Sequence, residues 1–373
     1  MTASIPLFKV HMPVGAHAAL SATLQSGRLA HGAQVEEFER RLGLYSGNAR
    51  VCAISDTSAA LTLALFMAGV RPDDEVIVSP MVCLATSMPI ANLFARPVWC
   101  DIDPATGMLD PAHISDLVTL RTRAILAHHW SGDVADVQAL QQCAGVHRVK
   151  LIEDSSEAFG AEYRGAKLGS HGSDFCIYSF SAVRQITCGE GAALICASDD
   201  DHVLARRLRR YGIDQPSFRL ADGDLNPASD IPLAGFNFCM NDIAATIGLE
   251  QFAYADEIVA RQRANGRYYD SALAGVAGLT LLARRADATS GYWTYSLRAE
   301  RRADLMRKLR EQGIGCQRLH LRNDHYSCFT RDRRDGGLPG VDVFDRENLS
   351  IPCGWWVTAE DRERIAACIQ AGW

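Results

Sequence analysis

Lysine is the residue this sequence nearly lacks. Of its 38 basic residues only Lys9, Lys150, Lys167 and Lys308 are lysines. Other absences bound the problem further. No run of about 18 apolar residues occurs, which excludes a transmembrane helix. None of the 12 cysteines pairs with another at C-x-x-C spacing, so a zinc-finger site is excluded and buried, reduced thiols are expected. Basic charge is not in excess: the net charge is -6, which argues against a nucleic-acid partner. Met1 to Pro13 has no basic start followed by an apolar core, so no secretory leader is expected and a cytoplasmic location is. Internal repeats and low-complexity stretches are missing too.

What is present is the composition of a globular protein: 373 residues, 48% hydrophobic and 22% charged. That length suits one large domain plus a smaller one. Short apolar runs bounded by turn residues predict buried strands at 75–79, 96–101, 124–128, 150–154, 175–180 and 192–197. Helical patterns at 17–44, 58–68, 86–94, 111–118 and 134–144 accompany them. Strands alternating with helices imply a mostly parallel sheet covered on both faces. After Asp201 the character changes. A basic helix (202–211) leads into a polar connection (214–232), then a long helix is predicted over 241–263. Strands at 279–282, 294–297 and 315–319 and helices at 302–312 and 358–371 predict a small α+β unit.

Several segments then match one family in order. DDEVIVSP (73–80) resembles G-D-E-V-I-x-P, and DIDP (101–104) resembles D-x-D-P. EDSSEAFGA (153–161) resembles E-D-A-A-Q-A-x-G-A. Ser179 to Gly191 resembles S-F-x-x-x-K-x-x-x-x-G-E-G, and GFNFCM (235–240) resembles G-Y-N-Y-R-M. HLRND (320–324) and IPCGWW (351–356) are similar to small-domain motifs of one branch. From Leu7 to about Trp356 the chain thus resembles the DegT/StrS sugar aminotransferases, pyridoxal-phosphate (PLP) enzymes of fold type I. The resemblance implies an α/β, aspartate-aminotransferase-like large domain (1–250) with a mostly parallel seven-stranded sheet. It implies a smaller C-terminal α+β domain (251–373) and a homodimer with the active site at its interface.

The resemblance also implies roles. Asp154 matches the strand-end carboxylate that keeps the cofactor's pyridine nitrogen protonated. Thr57 and Ser58 open a helix whose N–H groups and hydroxyls cradle phosphate, and Ser179 matches a second phosphate-binding hydroxyl. Asn237 matches a residue reaching the neighbouring subunit's phosphate. Cys83 stands where an aromatic ring usually covers the cofactor. His320, Arg322 and Asn323 fall in a region close to substrate.

The departures matter as much. With spacing kept on both sides, Arg184 takes the place of the Schiff-base lysine. A guanidinium stays protonated and offers no lone pair, so it can neither form that imine nor serve as the ordinary base. Asp56 stands where glycine is common and would repel a phosphate dianion while capping the helix. Glu157 replaces a glutamine donor. Arg184 has two readings: an anion contact, or a structural pair with Asp154 or Glu157. A lysine-free site needs another base, Glu157 or His129, although His129 could equally be satisfied by backbone partners. The expectation is a lysine-independent catalyst acting on a small sugar-nucleotide or secondary-metabolite substrate. It would use no cofactor, or PLP or pyridoxamine phosphate (PMP) bound non-covalently, and no metal. The alternatives are a non-catalytic partner or regulator of an active paralogue, a PMP-dependent nucleotide-sugar dehydratase, and a PLP aminotransferase that tolerates the arginine.

Overall fold

The computed structural model describes residues 4–332 and 337–373. Its centre is a seven-stranded sheet of β1 (Val51–Ile54), β2 (Glu75–Val78), β3 (Arg96–Trp99), β4 (Thr122–His128), β5 (Lys150–Asp154), β6 (Phe175–Ser179) and β7 (Ala192–Cys196). The spatial order is β1-β7-β6-β5-β4-β2-β3. Only β7 runs against its neighbours; the other pairs are parallel. β1, β2, β6 and β7 are buried at every residue and β5 at all but Lys150, as a sheet covered on both faces requires.

The covering helices are α1 (Ala16–Gln25), α2 (Ala33–Ser46), α3 (Thr57–Met67), α4 (Leu84–Asn92), α5 (Val137–His147), α6 (Asp199–Leu208), α7 (Asp242–Phe252) and α8 (Ala255–Ala272). One apolar core gathers α3, α4 and the strand residues facing them, including Leu61, Leu65, Ile90 and Leu126. A second gathers Val35, Phe38 and Leu42 of α2 with Phe159, Tyr178 and Val259.

A three-stranded antiparallel sheet follows, ordered β8 (Leu279–Leu281), β9 (Tyr295–Ala299), β10 (Asn348–Ile351). With α9 (Arg302–Glu311), α10 (Pro339–Glu347) and α11 (Ala359–Gln370) it completes the chain. Its core includes Tyr269, Leu297, Leu309, Leu349 and Ile365, and also Ile5. The first residues therefore pack with the C-terminal unit, through an Ile5–Ile314 bridge, rather than within an N-terminal unit ending at residue 250. Among the described residues no helix is long and apolar enough to cross a membrane.

Three expectations need correcting. The helical stretch 17–44 is two helices, parted by a turn where Gly27 takes φ +68°, a conformation favourable to glycine. The long helix 241–263 is also two, and no proline or glycine breaks it. Phe252, at the end of α7, instead packs into a ring cluster with Phe38 and Phe159 (5.3 and 6.3 Å). Residues 315–319 are not a strand; Gln317 makes one isolated bridge to Ser350 of β10, and β1, β10 and α10 were not foreseen.

Register fixes the site. Ala127 pairs with Glu153 and His128 with Asp154 across β4 and β5, and Ile177 of β6 pairs with Asp154. Side chains alternate between faces along a strand. His128 and Asp154 therefore share one face at the carboxyl edge of the sheet, and Glu153 lies on the other. Such edges are where α/β sheets bind ligands. The small unit is tied to the sheet through Asp101, just after β3, whose carboxylate accepts the Gly340 and Val341 N–H groups at the start of α10 (2.9 and 2.8 Å). Asp101→Ala removes this cap and is expected to lower unfolding stability by about 1–2 kcal/mol, read by chemical denaturation.

Candidate active site

Four elements converge at that edge. The loop after β5 turns Glu157 back beneath the sheet end, where it is fully buried. His128 stands between the two carboxylates: Nδ1 lies 3.1 Å from Asp154 Oδ2 and Nε2 3.3 Å from Glu157 Oε2. Asp154 also accepts from the Thr86 hydroxyl (2.7 Å) and the Ser156 N–H (3.1 Å). Glu157 accepts from the Ser131 N–H (2.7 Å) and meets His320 Nε2 at 2.7 Å. His320 comes from the segment preceding α10 and is the least buried member; its ring sets an edge against Trp130 at 5.5 Å.

Electrostatics follow from this packing. Burial alone would deprotonate His128, but the Glu157 and Asp154 carboxylates outweigh it and push its pKa up to about 10. Burial works against ionised Asp154 and Glu157 as well. The charge and hydrogen bonds of His128, aided by Ser156 and Thr86 at Asp154 and by His320 at Glu157, hold both well below the usual carboxylate range.

Arg184 reaches the same place. Its guanidinium stacks on Trp293 at 4.1 Å and its Nη1 lies 3.8 Å from Glu157 Oε1. Of the two expected partners, the structure places Arg184 beside Glu157. The four lysines are engaged elsewhere: Lys150 with Asp174, Lys167 with Glu162, Lys308 with the Gly372 carbonyl, and Lys9 over the Trp355 ring.

The edge beside this cluster holds the hydroxyl pair. Thr57 Oγ1 donates to Ser179 Oγ at 2.7 Å, joining the start of α3 to the end of β6. Asp56 caps α3, accepting from the Ala59 N–H at 2.9 Å. Ser58 bonds the Ala85 carbonyl in α4 at 3.4 Å. The strand-like segment carrying Asn237 runs alongside, its Phe238 carbonyl accepting from the Ser55 N–H at 2.8 Å. Asn237 itself is exposed. Cys83 precedes α4, and burial pushes its thiol pKa up, against reactivity.

Several candidates prove structural. His129 is 0% exposed, with Nε2 on Glu153 at 2.8 Å and Nδ1 accepting the Ala135 N–H at 3.1 Å. Both nitrogens are committed on the face away from Asp154, so His129 is no base for this site. Glu157, buried and held ionised by the Ser131 N–H, His320 and the charge of His128, is a poor base as well. Arg322 is consumed by Asp324 and Asp342, and Asn323 holds the Val82 carbonyl and Ser87 hydroxyl (3.1 and 2.8 Å); neither faces the cluster. Sequence reasoning passed over His128 and Trp293. The pair His128-His129 at a strand end was the signal, but only the β4–β5 register tells which of the two joins Asp154.

The fold is that of the fold-type-I PLP aminotransferases. The sequence profile of the DegT/DnrJ/EryC1/StrS aminotransferase family matches residues 15–370, and the chain belongs to that family. It is 35% identical to the sugar aminotransferase CalS13 from Micromonospora echinospora, covering 99% of this chain and 100% of that one with a TM-score of 0.94. AtS13 from Actinomadura melliaura is 36% identical over 100% of both chains, TM-score 0.94. DesV from S. venezuelae, solved with a ketimine intermediate, is 27% identical over 95% and 93% of the chains, TM-score 0.88.

The buried imidazolium makes a prediction. Its pKa is raised on folding from 6.5 to about 10. The stabilisation it provides is therefore complete below pH 6.5 and is lost as pH rises towards 10. Denaturation free energies measured across that window should fall, and His128→Gln should flatten the decline.

Proposed function

We propose that this protein is a lysine-independent catalyst of the sugar aminotransferase family, acting on a small sugar-nucleotide or secondary-metabolite substrate. One observation carries the reading. Arg184, at the position matching the family's Schiff-base lysine, is packed between Trp293 and Glu157, and every lysine is occupied elsewhere. A guanidinium cannot form an imine with an aldehyde at neutral pH.

The remaining residues fit PMP held without a covalent bond. Asp154, ionised and fixed by Thr86 and His128, would face the ring nitrogen. The N-terminus of α3 with Thr57, Ser58 and Ser179 would hold the phosphate. When bound, the group supplies an electron-accepting ring.

The chain's own residues divide the other tasks. His320, oriented by Glu157 and the most accessible of the cluster, moves the proton at the substrate. Glu157 and Asp154 position the two histidines. Arg184 holds negative charge. His128, Glu157 and His320 also present ligand atoms within 4.8 Å of one another, a spacing a divalent ion could use. The two carboxylates are already balanced by the His128 imidazolium and Arg184, so we read the trio as a hydrogen-bonded network.

A second reading has its own support. Asp56 places a carboxylate at the phosphate end, and Thr57 and Ser179 satisfy each other, as a non-catalytic partner of an active paralogue would permit. Asn237, exposed beside the start of α3, supports a homodimer in which each site borrows from its neighbour.

Absorbance after desalting separates these readings. The protein should retain PMP, with a band near ~330 nm, and form no ~420 nm imine band with PLP, whereas Arg184→Lys should gain one. A wild-type protein that retains no PMP would move the balance to the partner reading. Light scattering should give the mass of a dimer.

A further inference from the structure

Arg184 is held firmly but left unsatisfied. The residue is 9% exposed, and its Nε and Nη1 atoms are shut off from water without a hydrogen-bond partner. The ion-pair distance to Glu157 Oε1, 3.8 Å, is too long for a hydrogen bond. The Glu157 oxygens are already taken by His320 and the Ser131 N–H. The guanidinium is nonetheless fixed in one plane. It lies on the Trp293 ring, whose indole N–H donates to the Val183 carbonyl at 2.8 Å and which stacks on Phe8 at 5.1 Å.

Buried charged donors without acceptors are costly. Held flat against an indole, the guanidinium presents its terminal Nη1–Nη2 fork, with Nη1 still unpaired, edge-on to a planar acceptor, while the Nε–H points to the other edge. A carboxylate matches that fork with two parallel N–H···O bonds. It also carries one charge where a phosphate would bring nearly two beside ionised Glu157.

We propose that Arg184, seated on Trp293, is the recognition site for a carboxylate of the substrate, so that the ligand is a small organic acid, either a sugar acid or an oxo acid. This rests on the reading above, in which an arginine has taken over the lysine's position, and adds what it is there to bind.

The test uses the full-length protein and calorimetric titration with three probes: D-glucuronate, 2-oxoglutarate and D-glucose. At least one acid should bind while glucose does not, and Arg184→Gln should weaken that acid about tenfold or more. Binding of glucuronate alone identifies a sugar acid, and of 2-oxoglutarate alone an oxo acid. Binding of both identifies the carboxylate as the shared determinant. Trp293→Leu, which unseats the guanidinium while keeping its charge, should weaken the same acid and serves where Arg184→Gln does not fold. The proposal is overturned if neither acid exceeds glucose, or if the acids bind the variants as tightly as the wild type. PMP retention is measured on the same preparations. Retention without acid binding sinks this inference and leaves the proposed function standing; acid binding without retention does the reverse.

Discussion

Two carboxylates buried side by side at the end of a sheet cannot both stay ionised without compensation, and this constraint organises the site. Asp154 and Glu157 are compensated by one imidazole between them, with His128 Nδ1 and Nε2 at 3.1 and 3.3 Å. That imidazole is where it is because β4 and β5 pair His128 opposite Asp154. The second cation, Arg184, lies farther from Glu157 than the hydrogen-bonded groups do. The network from Asp154 through His128 and Glu157 to His320 runs from the buried sheet edge towards the accessible side.

The neighbouring residues show how little chemistry alone decides. His129 and Glu153 repeat the pairing of His128 and Asp154 one position along each sequence, at 2.8 Å. They sit on the opposite face, closed by the Ala135 N–H, with no second carboxylate and no route outward. One step along a strand separates a buried structural pair from the centre of the site.

This is also why the sequence was legible only in part. Six of the seven sheet strands, all but β1, together with α3 and α4 were readable because short apolar runs and punctuating turns have local causes, and the order of motifs carried the family. Asp154, Glu157 and Arg184 were placed together by their spacing from those motifs. The choice between His128 and His129 needs register, which no single strand contains. Arg322 and Asn323 read as ligand-facing because both are polar and near the expected substrate. Arg322 pairs first with its near neighbour Asp324, but its second partner Asp342 and the Val82 carbonyl that holds Asn323 come from farther away in the chain. Likewise the break between α7 and α8 has no breaker residue to announce it.

The Asp56 cap has a consequence beyond electrostatics. A helix whose first turn is completed by a ligand is fully stable only while that ligand is bound, so folding and occupancy are thermodynamically linked. Here α3 is capped from within the chain, by Asp56 on the Ala59 N–H, and its first hydroxyl, Thr57, is bonded to Ser179. Retention of the fold thus places little demand on what occupies the cleft.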